Sequence, residues 1–301
     1  MQSLERIMQD ERSTLVAQYT PSKHTNSGYQ SEAALEAEFI AILESQGYEY
    51  VPIKSEEALI ENLKKQLEAL NNITFSPSEW QRFFKEVLCR ASDGIIEKTT
   101  LIQEQEIQVL KRDDGREINI KLLDKNHIYN NRLQVINQYA VEGGRKNRYD
   151  VSVLVNGLPL VHIELKRRGV HIKEAFNQIS RYGRESFWAG NGLFEFVQIF
   201  VISNGTYTKY YANTTRESHL KDKNDIKVQK SGHSFEFTSF WADLKNNPIS
   251  DLCDFAKTFF LLNIHFCVFS VGIACLMWIE SCLSCDLIKS PLRRKSCKKS
   301  L

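Results

Sequence analysis

Two apolar runs, VSVLV and LPLVHIEL, flank Asn156-Gly157. Asn-Gly is the pair that a tight hairpin turn favours, because both of its central positions take positive φ. The chain therefore folds back on itself here, and the rest of the molecule has to cover the result. Strands this continuously apolar are buried on both faces, as in an α/β sheet. Three charged residues are set into them: Asp150, Glu164 and Lys166. With the turn centred on Gly157, Asp150 and Glu164 lie seven residues to either side. They then sit opposite each other with Cβ atoms about 5 Å apart. Lys166, two residues beyond Glu164, projects from the same sheet face. Two converging acids can hold a divalent cation, which takes oxygen ligands. A lysine beside them adds positive charge where negative charge develops. Phosphodiester hydrolysis needs both, because the oxygens around the phosphorus repel a nucleophile.

The chain has 301 residues, enough for one large domain or two small ones. The net charge of +2 does not argue for nucleic acid, so a DNA-binding surface has to be a local basic patch. Arg145, Lys146, Arg148, Arg167, Arg168, Arg181 and Arg184 supply one in sequence around the three charged residues. The N-terminus is charged and lacks the apolar core of a secretory signal. Cys89 stands alone before Cys253, and the other cysteines crowd the last stretch, which is no disulfide framework. Cys282 and Cys285 form a CxxC with no second ligand pair to complete a zinc site.

Residues 1–30 read as a loose polar arm. Ser31 opens a helix with Leu35, Phe39, Ile40 and Leu43 on one face, ended by Gly47. Helices follow over 55–71 and from Ser78. The pattern then turns to strands: EIQVL and EINIKLL around Asp113-Asp114-Gly115, then LQVINQYAV, then the central hairpin. A helix over 171–187 and a second Asn-Gly hairpin, VQIFVISNGTYTKYY, complete the pattern. The expected architecture is α/β: a mixed β-sheet flanked by helices over 31–240, with a helical linker over 241–260. His162 shares a face with Glu164 by period two and reads as a packing residue, as do Phe176, Ile179 and Phe187.

The string NRYDVSVLVNGLPLVHIELKRRG, then FNQISRY, then VISNGT, resembles the N-terminal nuclease domain of type I restriction enzyme R subunits. Its D…ExK pattern places it with the PD-(D/E)XK nucleases. The resemblance covers about residues 30–260 and implies a restriction-endonuclease-like core. It implies that Asp150 and Glu164 are metal-binding acids, that Lys166 is the catalytic lysine, and that Gln178 and Tyr182 form the QxxxY motif. Four residues apart on a helix, these last two share a face. Glu36 is the candidate for the family's upstream acid and so for a third metal-binding carboxylate, with Glu32 and Glu38 as competitors. The resemblance further implies a Mg²⁺-dependent endonuclease of the cytoplasm, acting on double-stranded DNA with modification and specificity subunits. Two alternatives are a non-catalytic assembly module and a stand-alone membrane-tethered nuclease.

The family continues into an ATP-dependent translocase, but no phosphate-binding GxxxxGK[ST] loop occurs here. Residues 261–301 instead carry an apolar run and a basic flank, which at face value spell a membrane helix. Read one base out of phase, the same stretch permits a continuation containing RPYQ, as in the family's lead into its motor. Met277 and Trp278, each with a single codon, force Val-Asp in that reading. The expectation is a frameshift near Phe260, with an aberrant tail over 261–301, a truncated protein, and a membrane role unlikely.

Overall fold

The computed structural model describes residues 5–8, 16–18, 30–141, 147–187, 192–213, 235, 237–243 and 246–260. The tail over 261–301, and with it the frameshift and membrane readings, lies outside them. No helix among the described residues is long and apolar enough to cross a membrane.

Within the N-terminal arm, β1 (Glu5–Met8) and β2 (Val16–Gln18) pair antiparallel. Helix α1 (Glu32–Ser45) begins where Ser31 accepts a hydrogen bond from the Ala34 amide, and its expected face of Leu35, Phe39, Ile40 and Leu43 is buried. Strand β3 (Glu49–Tyr50) follows. Helix α2 (Glu56–Asn71), capped by Ser55, buries Leu59, Leu63 and Leu67 on one stripe. Each such leucine contributes about 1.5–3 kcal/mol. Helix α3 (Pro77–Phe83) starts earlier than the sequence suggested. Ser76 and Glu79 form a reciprocal capping box with Pro77 in the first turn. Helix α4 (Ile95–Gln103) was not evident from the sequence. Its periodicity is short, and it buries a lysine, Lys98, whose amino group donates to the Leu88 carbonyl.

Strands β4 (Ile107–Lys111) and β5 (Glu117–Lys121) form a separate hairpin, as their spacing around Asp113-Asp114-Gly115 predicts. The main sheet then assembles from β6 (Leu133–Val141), β7 (Asn147–Val155), β8 (Leu158–Leu165), β9 (Ile199–Ser203) and β10 (Thr208–Ala212). Its order is β10-β9-β8-β7-β6-β3. The β3–β6 and β8–β9 pairs are parallel and the others antiparallel, so the sheet is mixed, as expected. Helix α5 (Lys173–Glu185) connects the parallel pair β8 and β9 and packs on both. The protein is therefore an α/β molecule with a mixed sheet flanked by helices.

The stretch 241–260, read as a helical linker, holds β11 (Trp241–Ala242) paired with β12 (Pro248–Ile249). Then comes α6 (Leu252–Phe255), which widens into a π-turn over Ala256–Phe260. Phe255, Phe259 and Phe260 are fully buried, and the Phe260 ring meets Phe39 of α1 edge-on. Tyr48 donates to the Phe260 carbonyl.

The central hairpin reaches its expected register by an unexpected route. Asn156 and Gly157 both have positive φ and make a two-residue turn, with Val155 opposite Leu158 and Leu154 opposite Pro159. The next pair is Val153 with Val161, so Leu160 is an extra residue, a β-bulge. Beyond it Val151 faces Ile163, and the same register carries Asp150 opposite Glu164. Without the bulge Asp150 would face Ile163, and Glu164 would be shifted by one residue.

The turn is also a packing element. Asn156 is buried and donates to the Leu122 carbonyl and to Asn131, while its oxygen accepts the Arg132 amide. A Cβ at Gly157 would lie 2.6 Å from the Leu63 Cα, at a φ of +84°. Gly157→Ala is therefore expected to destabilise the protein by at least about 2 kcal/mol, from backbone strain and overpacking together. Denaturant unfolding checks this, and a loss under about 0.5 kcal/mol, the range of an ordinary surface change, would show that α2 does not clamp the turn.

Candidate active site

The sheet brings Asp150, Glu164 and Lys166 together. Asp150 sits on β7 and accepts the Leu165 amide at 2.9 Å. Glu164 on β8 is fully enclosed. Lys166, just past the end of β8, donates to Glu164 Oε1 at 3.1 Å and to the Leu165 carbonyl at 3.0 Å. Its backbone amide continues the parallel ladder to the Ser203 carbonyl. Lysine and carboxylates therefore hang on rigid strands rather than on loops.

Burial, then the neighbouring Glu164 charge, pushes Asp150 up to about 7. Burial likewise pushes Glu164 up to about 7, against the pull of Lys166. The two carboxyls act on each other electrostatically across the strand pair. Two acids so placed resist being ionised together without a compensating cation. Glu164 Oε2 has no hydrogen-bond partner among the described residues. An orphaned buried oxygen beside a second carboxylate fits a divalent cation. Among the described residues no three His, Cys, Asp or Glu side chains gather into a metal cluster. The pair therefore offers a two-carboxylate site, which suits Mg²⁺ because that ion keeps several waters and often takes phosphate oxygens.

Asp150 opens onto a cleft of about 640 Å³, lined also by Glu32, Glu36, Gln138, Arg148 and Arg167. Of the three candidates for an upstream acid, Glu32 and Glu36 face this cleft. Glu38 instead accepts from Gln30 at 2.7 Å and does not line the cleft. Both oxygens of Glu36 are engaged by the side-chain amides of Asn137 and Gln138. Glu32 accepts the Arg167 amide at 3.3 Å, and its charge acts on Glu164. The arginine cluster divides. Arg148 and Arg167 line the cleft. Arg168 is tied to Gln30 and Thr206 and is an internal brace. Arg181 lies over the Tyr182 ring. Arg145, Lys146 and the Arg184 side chain are outside the described residues.

Gln178 and Tyr182 do share a face of α5. Gln178 donates to Tyr182 Oη at 2.5 Å, and Tyr182 Oη donates to the Arg148 carbonyl at 2.9 Å. Tyr182 is buried, and burial raises its hydroxyl well above the usual tyrosine range. The pair thus pins the backbone two residues before Asp150. One feature was not visible in the sequence. Gln138 takes a φ of +53° in mid-strand, at the β6 position where the ladder skips Asp150. His162 abuts Glu164 as well as packing.

A model of the type I restriction enzyme R protein N terminus matches residues 29–219. The chain belongs to this family. It is 48% identical over 255 residues to the type I restriction enzyme EcoprrI endonuclease subunit of Escherichia coli, covering 83% of this chain and 77% of that relative. It is 40% identical over 236 residues to the SsaAORF53P endonuclease subunit of Staphylococcus saprophyticus. A SauCOLORF180P endonuclease subunit of Staphylococcus aureus is 39% identical over 238 residues. Each of these two staphylococcal matches covers 77% of this chain and 23% of the relative. In this R-protein N-terminal domain, Asp150, Glu164, Lys166, Gln178 and Tyr182 all fall inside the matched segment.

The raised acids make stability depend on pH. Both bind protons more tightly in the folded state than in the unfolded chain, so folding is favoured at low pH. That advantage is lost as pH rises from the ordinary carboxylate range through about 7. Asp150→Asn removes one of the two charges. At pH 8 without metal, Asp150→Asn should melt a few degrees above the parent, about 2–4 °C for each kcal/mol recovered. At pH 5 the gap should shrink. Thermal melts across this range check it, and a variant that melts lower at pH 8 refutes the repulsion.

Proposed function

We propose that this domain is the metal-dependent endonuclease of a type I restriction–modification R subunit, with a PD-(D/E)XK core, cutting unmodified foreign double-stranded DNA. The observation that carries this reading is the carboxylate pair of Asp150 and Glu164, with Lys166 on Glu164 and Asp150 opening on a cleft edged by Arg148 and Arg167. Asp150 and Glu164 would hold Mg²⁺. The bound ion supplies water activation and charge neutralisation. Lys166 keeps a positive charge at the buried end of the site, where charge develops on the phosphoryl oxygens. Arg148 and Arg167 suit the sugar-phosphate backbone, contacts that position DNA without reading its sequence. Gln178 and Tyr182 hold the Arg148 carbonyl and so fix where Asp150 meets the cleft.

In this reading the DNA target is chosen by a specificity subunit. Modification and specificity subunits are the partners this reading assigns to the whole R protein. ATP-driven translocation is likewise assigned to the whole protein. Work on DNA places the domain in the cytoplasm.

The test is nicking of supercoiled plasmid by the 301-residue chain with Mg²⁺. Asp150→Ala and Lys166→Ala should each lose on the order of 100-fold or more in rate, the usual cost of removing a charge-stabilising group. Circular dichroism should show both variants folded. Cleavage at the parent rate by either would sink the assignment. A folded but inert parent would favour the non-catalytic assembly module.

A further inference from the structure

His162 is completely buried on β8, two residues before Glu164. Its ring sits in an aromatic box formed by Tyr149, Tyr182, Phe187 and Phe200. An apolar side chain would fill such a box at no polar cost, so packing alone leaves the imidazole unexplained. Its ring faces the Ser152 hydroxyl and the Glu164 carboxylate, and the Val151 backbone also acts on it. Nδ1 is 3.2 Å from Oγ of Ser152, the cross-strand partner of His162. Nε2 is 3.5 Å from Glu164 Oε2. These last two atoms are both buried and both lack a hydrogen-bond partner among the described residues. Orphaned buried polar atoms are costly, and here two of them lie 3.5 Å apart.

We propose that His162 is a positioning residue for Glu164, donating from Nε2–H to Oε2. Ser152 sets the tautomer by donating its hydroxyl to Nδ1, which leaves the single ring proton on Nε2. Glu164 Oε1 is already held by Lys166. With Oε2 held by His162, the carboxylate plane is fixed from both ends before a cation arrives. The chain Ser152–His162–Glu164 runs across β7 and β8 inside the core, so the hold is as rigid as the sheet. This role rests on the metal-dependent reading of the carboxylate pair. It makes His162 neither a metal ligand nor a group that touches DNA.

Partners of this kind typically alter metal affinity by about 10- to 100-fold when removed. The experiment is calorimetric titration of the full chain with Mn²⁺ as the probe. His162→Leu, which fills the box without a donor, should weaken Mn²⁺ binding by about 10- to 100-fold. His162→Gln carries an amide N–H that can reach the same oxygen and should recover most of the loss. Unchanged affinity in His162→Leu overturns the positioning role. Asp150→Ala serves as the control for the underlying reading. If it abolishes binding while His162→Leu does not, only the role of His162 falls. If parent and Asp150→Ala bind alike, both fall. Should His162→Leu fail to fold, the metal-free parent gives an independent answer. The ¹⁵N shifts of the His162 ring should report the Nε2–H tautomer at pH 8, and Ser152→Ala should shift the ring toward the other form. A ring protonated on Nδ1 in the parent overturns the proposal.

Discussion

A fully buried carboxylate beside a half-buried one dominates this molecule, because a folded protein ordinarily avoids such a pair. Each loses water, and the Glu164 charge raises the cost of ionising Asp150. Asp150 and Glu164 are held together nonetheless, and the surrounding structure is what holds them. Strands β7 and β8 lie at the centre of the sheet, with the β8 side chains fully buried. Around this pair the core is continuous, from Leu35 on α1 to Phe260 at the end of α6. A strained site can persist only where the structure around it over-determines its geometry.

Much of the irregular detail follows from that requirement. The Leu160 bulge restores the register that sets the acids opposite each other. Leu63 of α2 lies against Gly157, so the turn that precedes the bulge cannot drift. On the next strand, Gln138 adopts a left-handed conformation where β6 passes Asp150, and its amide joins Asn137 in gripping Glu36. Asn137 in turn takes Tyr50 at 2.9 Å, tying this grip to the sheet's far edge. On the helix side, Tyr182 reaches the Arg148 carbonyl. Bulge, kinked residue and tyrosine anchor all converge on the backbone within a few residues of Asp150.

What the sequence revealed was what local chemistry dictates. Asn156-Gly157 announced a turn because few residue pairs accept two successive positive φ angles. Leu35, Phe39, Ile40 and Leu43 announced a helix face because period alone makes them neighbours. The convergence of Asp150, Glu164 and Lys166 was legible because strand periodicity and one turn suffice to compute it. Yet the centre of symmetry was misplaced: the turn closes on two residues and the bulge supplies the offset. Nothing in GLPLV marks Leu160 as the bulged residue, since the choice is made by pairing with β7. Gln138 carries no signal either, because its conformation is imposed by contacts distant in sequence. Choosing among Glu32, Glu36 and Glu38 needed three dimensions. Period places Glu32 and Glu36 on one helical face, but only the neighbouring strand shows that Glu36 is already occupied by two amides.

The same geometry explains why a domain would keep a destabilising pair in its core. A carboxylate pair that prefers protons in the folded state is also one that a divalent cation can satisfy at neutral pH, by replacing the missing charge. Whatever binds only the folded form adds to its stability in proportion to its affinity and concentration. Protons therefore fill the site at low pH, and in the metal-dependent reading proposed above a cation would compete for the same oxygens near neutrality. The structural cost of burying Asp150 beside Glu164 is thus largest in the empty, neutral-pH state and smallest when the site is filled. Lys166 cannot remove that cost alone, because one amino group faces two carboxylates and its contact is with Glu164 Oε1. Held on the two central strands of the sheet, with one lysine against Glu164, the pair is the feature on which the proposed metal-dependent reading rests.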